Sequence, residues 1–283
     1  MRISFVVKSL LIIGAVAYLG IMAAMYVLQR ELIYVRDAAR TAPASVGLPD
    51  VAERVLETPD GEKIIAWYGK AKPGQPVILY FHGNGGALEI RRERMRKYLD
   101  RGRGMLMMAY RGYSGSTGSP SETSIIADAL VAYDALIKDG VAASDIIIYG
   151  ESLGAAVGIQ VAAARPVRAI VLDSPFTSLL ERAKLSYPWL PVRLLLKDWY
   201  MSSDHIKRVS APVFVLHGEL DEVTPVAMGR ALFAKANQPK ELATLPGAGH
   251  NDHYLFGSFE VINAWIDRVW KGEIVAGSGR SSG

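Results

Sequence analysis

A strand–turn–helix centred on Ser152 constrains the fold more than any other feature of this sequence. The isoleucine run at 146–148 predicts a short buried strand, and the largely apolar residues 153–164 predict a helix. Between them, residues 150–154 read Gly-Glu-Ser-Leu-Gly. A sharp turn from strand to helix exposes the central serine, and the flanking glycines let the two elements pass closely. We therefore predict that Ser152 is a nucleophile. The glycines predicted to support the turn are Gly150 and Gly154.

A second Gly-x-Ser-x-Gly match at 279–283 shows why the setting of the motif matters. No strand-like run precedes it and no helix-like run follows it. It lies in a Gly/Ser-rich tail, residues 272–283, that we expect to be disordered. The five-residue pattern alone is a weak signal, and the surrounding strand and helix distinguish Ser152.

A serine nucleophile needs a base and an acid that orients the base, and after this kind of turn they follow in the order Ser, acid, His. The strand-like run 213–216 leads into a loop with Asp221, and the run 241–245 leads into a loop with His250. Both residues therefore follow the C-terminal end of a strand, where sites form in open α/β sheets. We predict Asp221 as the acid and His250 as the base. The rival acids in the first loop are Glu219 and Glu222.

An oxyanion hole is predicted after the strand-like run 77–81. Residues 82–86 read His-Gly-Asn-Gly-Gly, and glycines there let backbone N–H groups turn toward one point. We assign the hole to the N–H groups of Leu153 and Asn84. The residues predicted to support the loop are His82 and Gly83, and Gly83 is the alternative donor.

Strand-like and helix-like segments alternate along most of the chain. A hairpin signal, Pro-Asp-Gly at 59–61, separates the strand-like runs 53–58 and 63–68. The strand-like runs that follow it are 77–81, 105–110, 146–149, 169–173, 213–216 and 241–245. Such alternation predicts an α/β fold with a mostly parallel sheet and helices on both faces.

Taken together, these motifs resemble those of the α/β-hydrolase superfamily, over a catalytic domain at 52–271. The likeness is greatest to membrane-anchored α/β-hydrolase-domain proteins, which include protein depalmitoylases, and extends to monoacylglycerol lipases and serine aminopeptidase-like hydrolases. It is carried by Phe-His-Gly-Asn at 81–84, Tyr-Arg-Gly-Tyr-Ser-Gly-Ser at 110–116, the motif at 150–154, His-Gly-Glu-Leu-Asp at 217–221 and Gly-Ala-Gly-His-Asn-Asp at 247–252. The resemblance implies a Ser152/His250/Asp221 triad, with Ser152 acylated and then released by water.

An uncharged apolar stretch, residues 9–28, is long enough to cross a bilayer as a helix. It exceeds the core of a signal peptide and lacks a clear cleavage site, so we predict a single-pass membrane anchor at 1–30, followed by a linker at 31–51. Basic residues are balanced on the two sides of the span. Of the two orientations we favour an inside N terminus and an extracytoplasmic catalytic domain.

Residues 175–208 interrupt the alternation of strands and helices. Large apolar side chains crowd this interval: Leu179, Leu180, Tyr187, Trp189, Leu190, Leu194, Leu195, Leu196, Trp199 and Tyr200. In the resembling superfamily this interval carries a cap over the site, and we predict a short cap here. The alternative is a crossover helix and loop packed in the core. An apolar cap favours a hydrophobic acyl substrate.

Composition excludes several other classes of site. There is no cysteine, so thiol catalysis, thiolate metal sites and disulfides are ruled out. Asp252 and His253 beside His250 match no metal-binding motif, and no dinucleotide or phosphate loop occurs. We expect no metal, cofactor or nucleic-acid partner. The basic cluster at 91–103 is read as a solvated helix face, with contact to anionic lipid headgroups as the alternative.

The sequence therefore predicts a membrane-anchored serine hydrolase that cleaves ester or thioester bonds of small-molecule or lipid-like acyl substrates. Three alternatives use the same fold: a serine peptidase, an acyltransferase, and an inactive binding protein. The complete set of Ser152, His250 and Asp221 argues against the last of these.

Overall fold

A computed structural model describes residues 5–276, and across these residues the strands form one eight-stranded sheet. The second Gly-x-Ser-x-Gly match lies outside the described residues. The strands are β1 (Ala52–Glu57), β2 (Lys63–Gly69), β3 (Val77–Phe81), β4 (Gly104–Met108), β5 (Ile146–Glu151), β6 (Ala169–Asp173), β7 (Val213–Gly218) and β8 (Lys240–Leu245).

The sheet order is β1-β2-β4-β3-β5-β6-β7-β8, and it is antiparallel only where β1, β2 and β4 pair. From β4 through β3 to β8 every neighbouring pair is parallel. All residues of β3, β4 and β6 are buried, which requires cover on both faces of the sheet. The predicted α/β architecture with a mostly parallel sheet is confirmed.

Helices join most of these strands, and β-branched runs and apolar helix faces fill the space between them. The helices are α1 (Phe5–Ile33), α2 (Arg92–Asp100), α3 (Glu122–Lys138), α4 (Leu153–Ala164), α5 (Leu179–Ser186), α6 (Val192–Leu195), α7 (Ser202–His205), α8 (Val226–Lys235) and α9 (Ser258–Trp270). Helix α4 packs against β3, β5 and β6 at the centre of the sheet. The motif at 150–154 is therefore held by the most buried part of the core.

Helix α1 is the one helix within residues 5–276 that is long and apolar enough to cross a membrane. Its 29 residues extend over about 43 Å at 1.5 Å per residue, whereas a bilayer core needs about 20 residues. The surplus lies at its C-terminal end, where Gln29 is only 6% exposed. This end leaves the candidate span and packs against the rest of the protein.

The segment predicted as a linker, 31–51, lies on the surface of the catalytic domain and contributes to its core. Tyr34, Leu48 and Val51 are buried in the main apolar cluster. The predicted tail, 272–283, falls outside the described residues from 277 onward, and within its described part Ile274 is packed in the same cluster.

The interval 175–208 carries α5, α6 and α7 and a small apolar cluster separate from the main core. Leu180, Leu190 and Val192 are the buried members of this cluster. Met22 and Met25 of α1 pack against it. We call the segment Leu179–Tyr200 the cap, because its side chains cover the cavity described below.

Candidate active site

Ser152 occupies the sharp turn between β5 and α4. Its backbone has φ 52° and ψ −112°, a left-handed conformation that a non-glycine residue adopts only when its surroundings enforce it. A β-carbon at Gly154 would overlap the carbonyl oxygen of Phe81, and one at Gly150 would overlap the backbone of α4. The two glycines are thus required for the close approach of strand and helix, as the sequence predicts.

The side chains of Ser152, His250 and Asp221 form one hydrogen-bonded line. His250 Nε2 lies 3.1 Å from Ser152 Oγ, and His250 Nδ1 lies 2.7 Å from Asp221 Oδ2. Three loops that follow three different strands bring these residues together. The geometry lets the imidazole take a proton from the hydroxyl while the carboxylate fixes the other ring nitrogen.

Asp221 is buried, and its surroundings favour the ionised carboxylate. Burial alone would raise its pKa, but hydrogen bonds from His217, His250 and the backbone N–H of Thr224 hold the pKa of Asp221 well below its usual value. The Thr224 N–H donates to Oδ1 over 2.6 Å, and the Ser174 hydroxyl donates to Oδ2 over 3.1 Å. The carboxylate therefore carries a permanent charge for the imidazole to face.

The rival acids do not approach the imidazole. Glu219 accepts a hydrogen bond from the Thr244 hydroxyl at 2.9 Å, and Glu222 is exposed. Among residues 5–276, no group of three or more His, Asp or Glu side chains is placed to hold a metal ion.

A second histidine, His253, lies behind the line of three residues, and its role was not predicted. Its Nδ1 lies 2.7 Å from Asp173 Oδ1, and its Nε2 lies 3.4 Å from the Ser174 hydroxyl that donates to Asp221. Burial alone would lower the pKa of His253, but the Asp173 carboxylate more than offsets this and raises it. The only sequence signal for this network is that Asp173 and Ser174 end a buried strand.

The predicted oxyanion loop is held by the segment that follows α1. The backbone N–H of Val35 donates to the Asn84 carbonyl at 3.0 Å, and Asn84 Nδ2 donates to the Ile33 carbonyl at 3.0 Å. The Tyr113 hydroxyl donates to the same Asn84 carbonyl at 2.7 Å. Neither the Asn84 N–H nor the Leu153 N–H has a hydrogen-bond acceptor within the described part of the chain. Both are free to bind an oxyanion.

His82 supports this loop as a neutral side chain. Burial lowers its pKa to about 3, and the charge of Arg91 contributes in the same direction. Its Nδ1 contacts the Gly83 carbonyl, and its Nε2 accepts the Tyr110 N–H at 3.4 Å. A β-carbon at Gly83 would lie 3.7 Å from Ser152 Cβ, an ordinary contact, so space alone does not demand glycine there.

Two cavities meet at Ser152. The first, of about 230 Å³, is mostly apolar and is enclosed by the cap and by the C-terminal end of α1. Its α1 wall consists of Met25, Gln29, Leu32 and Ile33. The sequence predicts the cap but gives no sign that the N-terminal apolar helix lines the same cavity.

The second cavity, of about 830 Å³, is more polar. It lies along α2 and α9 and is lined by charged and tyrosine side chains besides Ser152 and His250. Its charged residues are Arg91, Glu93, Arg94, Lys97 and Glu151. Part of the basic cluster at 91–103, predicted to be a solvated face, therefore turns toward the candidate active site.

Sequence comparison assigns this chain to a family. A family model described as alpha/beta hydrolase fold matches residues 76–202. An alpha/beta hydrolase domain-containing protein, WAV2 of Arabidopsis thaliana, is 30% identical over 273 residues, covering 86% of this chain and 88% of that protein. The chain belongs to the α/β-hydrolase family.

An uncharacterized protein of Mycobacterium tuberculosis strain H37Rv is more similar, at 40% identity over 248 residues, with 87% of this chain and 88% of that protein covered. Among solved structures, an esterase of Pyrococcus furiosus superposes with a TM-score of 0.69 at 18% identity, covering 83% of this chain and 96% of the esterase. This last likeness extends to the fold alone. The predicted superfamily is confirmed, and the protein is a hydrolase of this fold.

Proposed function

We propose that this α/β-hydrolase is a membrane-anchored serine hydrolase that cleaves ester or thioester bonds of hydrophobic acyl substrates. The proposal rests on the contacts of His250 with Ser152 at 3.1 Å and Asp221 at 2.7 Å. The strained backbone at Ser152 supports it, because such strain persists where function requires it.

In the acylation step, Ser152 Oγ attacks the substrate carbonyl carbon while His250 Nε2 takes the hydroxyl proton. Asp221 holds the Nδ1–H tautomer and stabilises the imidazolium that forms. The N–H groups of Leu153 and Asn84 bind the oxyanion, at about 3–4 kcal/mol per donor. His250 then gives its proton to the leaving oxygen or sulfur, the bond to the carbonyl carbon breaks, and an acyl-Ser152 ester remains.

In the deacylation step, water replaces the alcohol or thiol. His250 takes a proton from this water, which attacks the acyl carbon, and Ser152 leaves with the proton returned to it. The reaction balances as water plus ester giving acid plus alcohol.

The apolar cavity beside Ser152 is the proposed acyl site. Leu190, Leu195 and Leu196 of the cap and Leu32 of α1 line it, and none of them offers a side-chain hydrogen bond. Each methylene withdrawn from water there contributes about 0.8 kcal/mol at most. Aminopeptidase activity is less well supported, because the polar cavity carries more cationic than anionic residues and would repel a free ammonium group.

The cap and α1 together form the proposed membrane-facing side. Trp189 is 53% exposed and Leu194 is 80% exposed, and the Tyr18 hydroxyl within the apolar part of α1 donates to the Trp189 carbonyl at 2.9 Å. An exposed tryptophan beside a candidate span is typical of the bilayer interface. Acyl chains would then enter the apolar cavity from the lipid.

The proposed orientation keeps the N terminus inside and the catalytic domain extracytoplasmic. The chain has no cysteine, so a single introduced thiol can report its side unambiguously. Lys207→Cys on the exposed surface should react with an impermeant maleimide in intact cells. If Lys207→Cys reacts only after the cells are permeabilised, the catalytic domain lies on the cytoplasmic side, opposite to the proposal.

The nucleophile assignment is tested with a fluorophosphonate probe and p-nitrophenyl esters. Ser152→Ala should abolish labelling and lower ester turnover by several orders of magnitude, while the thermal unfolding midpoint changes little. Ser281→Ala, in the second Gly-x-Ser-x-Gly match, is the matched control and should keep full labelling. Persistent labelling of Ser152→Ala would refute the assignment.

The same assay should include an aminoacyl anilide and an added alcohol acceptor. Preferential anilide cleavage would favour the peptidase alternative, and acyl transfer to the alcohol in place of free acid would favour the acyltransferase alternative. Proper folding of wild type without labelling or turnover would favour the binding protein.

A further inference from the structure

We infer that the polar cavity binds an anionic leaving group, so that the substrate is an acyl ester or thioester whose alcohol or thiol portion carries a phosphate or carboxylate. The inference rests on the proposed function and names the part of the substrate that the apolar cavity does not hold. Two observations support the inference. The apolar and the polar cavity meet at Ser152, and the polar cavity contains cationic side chains.

The residues that line both cavities indicate which part of the substrate lies in each. Ser152, Asn84 and Val223 line both cavities, so a carbonyl carbon held at Ser152 lies where the two meet. An ester extends from that carbon in two directions, as acyl chain and as leaving group. Because the cavity under the cap is apolar and takes the acyl chain, the leaving group extends into the polar cavity.

The carboxylates in the polar cavity are already neutralised. Glu151 pairs with Arg94 at 3.2 Å and also accepts a hydrogen bond from the Tyr80 hydroxyl. Glu93 pairs at 2.7 Å with Arg96, which does not line the cavity. Glu93 therefore does not offset the remaining cations, whereas Glu151 also attracts Arg91 at a distance beyond 4.0 Å.

Two cations of this cavity have no carboxylate partner. Within the described range 5–276, no carboxylate oxygen lies within 4.0 Å of Arg91 or Lys97. Arg91 donates only to the carbonyls of Ala87 and Gly85, and Lys97 lies 5.2 Å from the Phe259 ring. A buried guanidinium without a counter-ion is costly unless an anion binds beside it.

Unsatisfied polar atoms in the cavity wall point the same way. Arg91 is 9% exposed and its Nε has no hydrogen-bond partner, and Tyr98 is 1% exposed with an unpartnered hydroxyl. Both residues line the polar cavity. Buried polar groups are nearly always paired, but both atoms lie behind the cavity surface, so each would pair with a ligand oxygen only after its side chain rotates toward the cavity. A phosphate or a carboxylate supplies acceptor oxygens with the complementary charge.

The test compares decanoyl substrates whose leaving groups differ in charge, with the full-length protein in uncharged detergent at low ionic strength. The ester arms are decanoyl-glycerol 3-phosphate, decanoylglycerol and decanoylcholine. The thioester arms are decanoyl-coenzyme A and the neutral decanoyl-N-acetylcysteamine. We expect kcat/KM to be highest for the anionic substrate of a series, which is decanoyl-glycerol 3-phosphate among the esters and decanoyl-coenzyme A among the thioesters. A preference in the ester series alone identifies a lipid-type headgroup, and one in the thioester series alone identifies a soluble phosphorylated thiol.

Lys97→Gln should lower the ratio of kcat/KM for the anionic over the neutral ester about fivefold, the size expected for an exposed charge pair, and Lys97→Glu should lower it further. The matched control is Arg92→Gln, which removes the same charge from an exposed position of α2 that does not line the cavity. It should leave the ratio unchanged. Added salt should reduce the preference of the wild type and not that of Lys97→Glu.

A wild-type ratio of one or less, with the neutral ester hydrolysed, would overturn the inference and leave the proposed function intact. An equal loss of preference in Lys97→Gln and Arg92→Gln would also overturn it, because the effect would then belong to net charge and not to the cavity. If no ester or thioester is hydrolysed and Ser152 takes no fluorophosphonate label, both the inference and the proposed function fail.

Discussion

Arg30, near the C-terminal end of helix α1, makes a bidentate ion pair with Asp198 in the cap, at 2.9 Å from Nε to Oδ2 and 3.1 Å from Nη2 to Oδ1. Asp198 also accepts hydrogen bonds from the Tyr34 hydroxyl at 3.2 Å and from the Glu122 N–H at 3.1 Å. One carboxylate thereby joins α1, the cap and α3. The apolar cavity enclosed by α1 and the cap depends on this junction.

Removing the carboxylate should loosen the junction. Asp198 is 4% exposed in its side chain, so Asp198→Ala leaves the half-exposed Arg30 and two further donors without their partner and should cost about 2 kcal/mol in the free energy of unfolding. Glu181→Gln breaks the exposed cap pair with Lys184 and should cost less than about 1 kcal/mol. The unfolding free energies of the two variants are compared by thermal unfolding in detergent. Equal effects would mean that Asp198 is a surface ion pair and not a junction.

The acid assignment gives a second prediction. Asp221→Asn should lower kcat on the order of 10⁴-fold, because an amide facing His250 Nδ1 favours the wrong tautomer. Glu219→Gln removes a carboxylate from the same loop and should change kcat little, since Glu219 faces Thr244 and not the imidazole. The kcat of each variant is measured with a short p-nitrophenyl ester. A larger loss in Glu219→Gln would reverse the assignment.

The contacts of Asn84 make catalysis depend on residues at and just after the C-terminal end of α1. Deleting residues 1–21 retains Ile33 and Val35, so hydrolysis of p-nitrophenyl acetate should persist. Deleting residues 1–40 removes the buried Tyr34 and two of the three hydrogen-bond partners of Asn84, and leaves only the Tyr113 hydroxyl. We expect kcat to fall about 10²-fold, the loss typical of one oxyanion donor, with a smaller change in KM. Equal kcat in the two truncations would show that Asn84 needs no such support.

The sheet and the line of Ser152, His250 and Asp221 were predictable because their signals are local. Apolar β-branched runs flanked by turn residues give each strand within one or two positions, and strand ends share one edge of a parallel sheet. The site residues remain sequence-based predictions of function, but the contacts expected between them are present.

The packing of α1 against the cap was not predictable, because the contacts join residues about 165 positions apart, such as Gln29 and Leu195, and the helix carries no polar stripe to mark a protein-facing side. The role of His253 was not predictable for a related reason. Its partner Asp173 lies 80 positions away, and neither residue belongs to a motif. The unpaired charges of Arg91 and Lys97 likewise become visible only when the carboxylates around them are known in space.

The buried pair of His253 and Asp173 predicts a pH dependence of stability. Asp173 raises the pKa of His253 above its usual value near 6.5. A histidine whose folded-state pKa is raised stabilises the fold fully below the unfolded pKa, and this contribution is lost as pH rises through the folded pKa. The loss of unfolding free energy in His253→Gln should therefore be greater at pH 6 than at pH 9. If the difference in unfolding free energy between wild type and His253→Gln is constant or grows with pH, His253 is neutral in the folded protein.

The cap should set the preference for acyl chain length, and two adjacent leucines allow a matched test. Leu195 lines the apolar cavity, whereas Leu194 is 80% exposed and does not. Leu195→Asn places an amide where the acyl chain would lie and removes apolar surface that shields it. If four of the extra methylenes of an eight-carbon chain are shielded there, they contribute about 3 kcal/mol at most, so the ratio of kcat/KM for an eight-carbon over a two-carbon ester should fall between about tenfold and 100-fold. Leu194→Asn introduces the same amide one position earlier and should leave the ratio unchanged for detergent-dispersed esters. If the two variants give the same ratio, the acyl chain binds elsewhere, and the polar cavity becomes the first place to look for it.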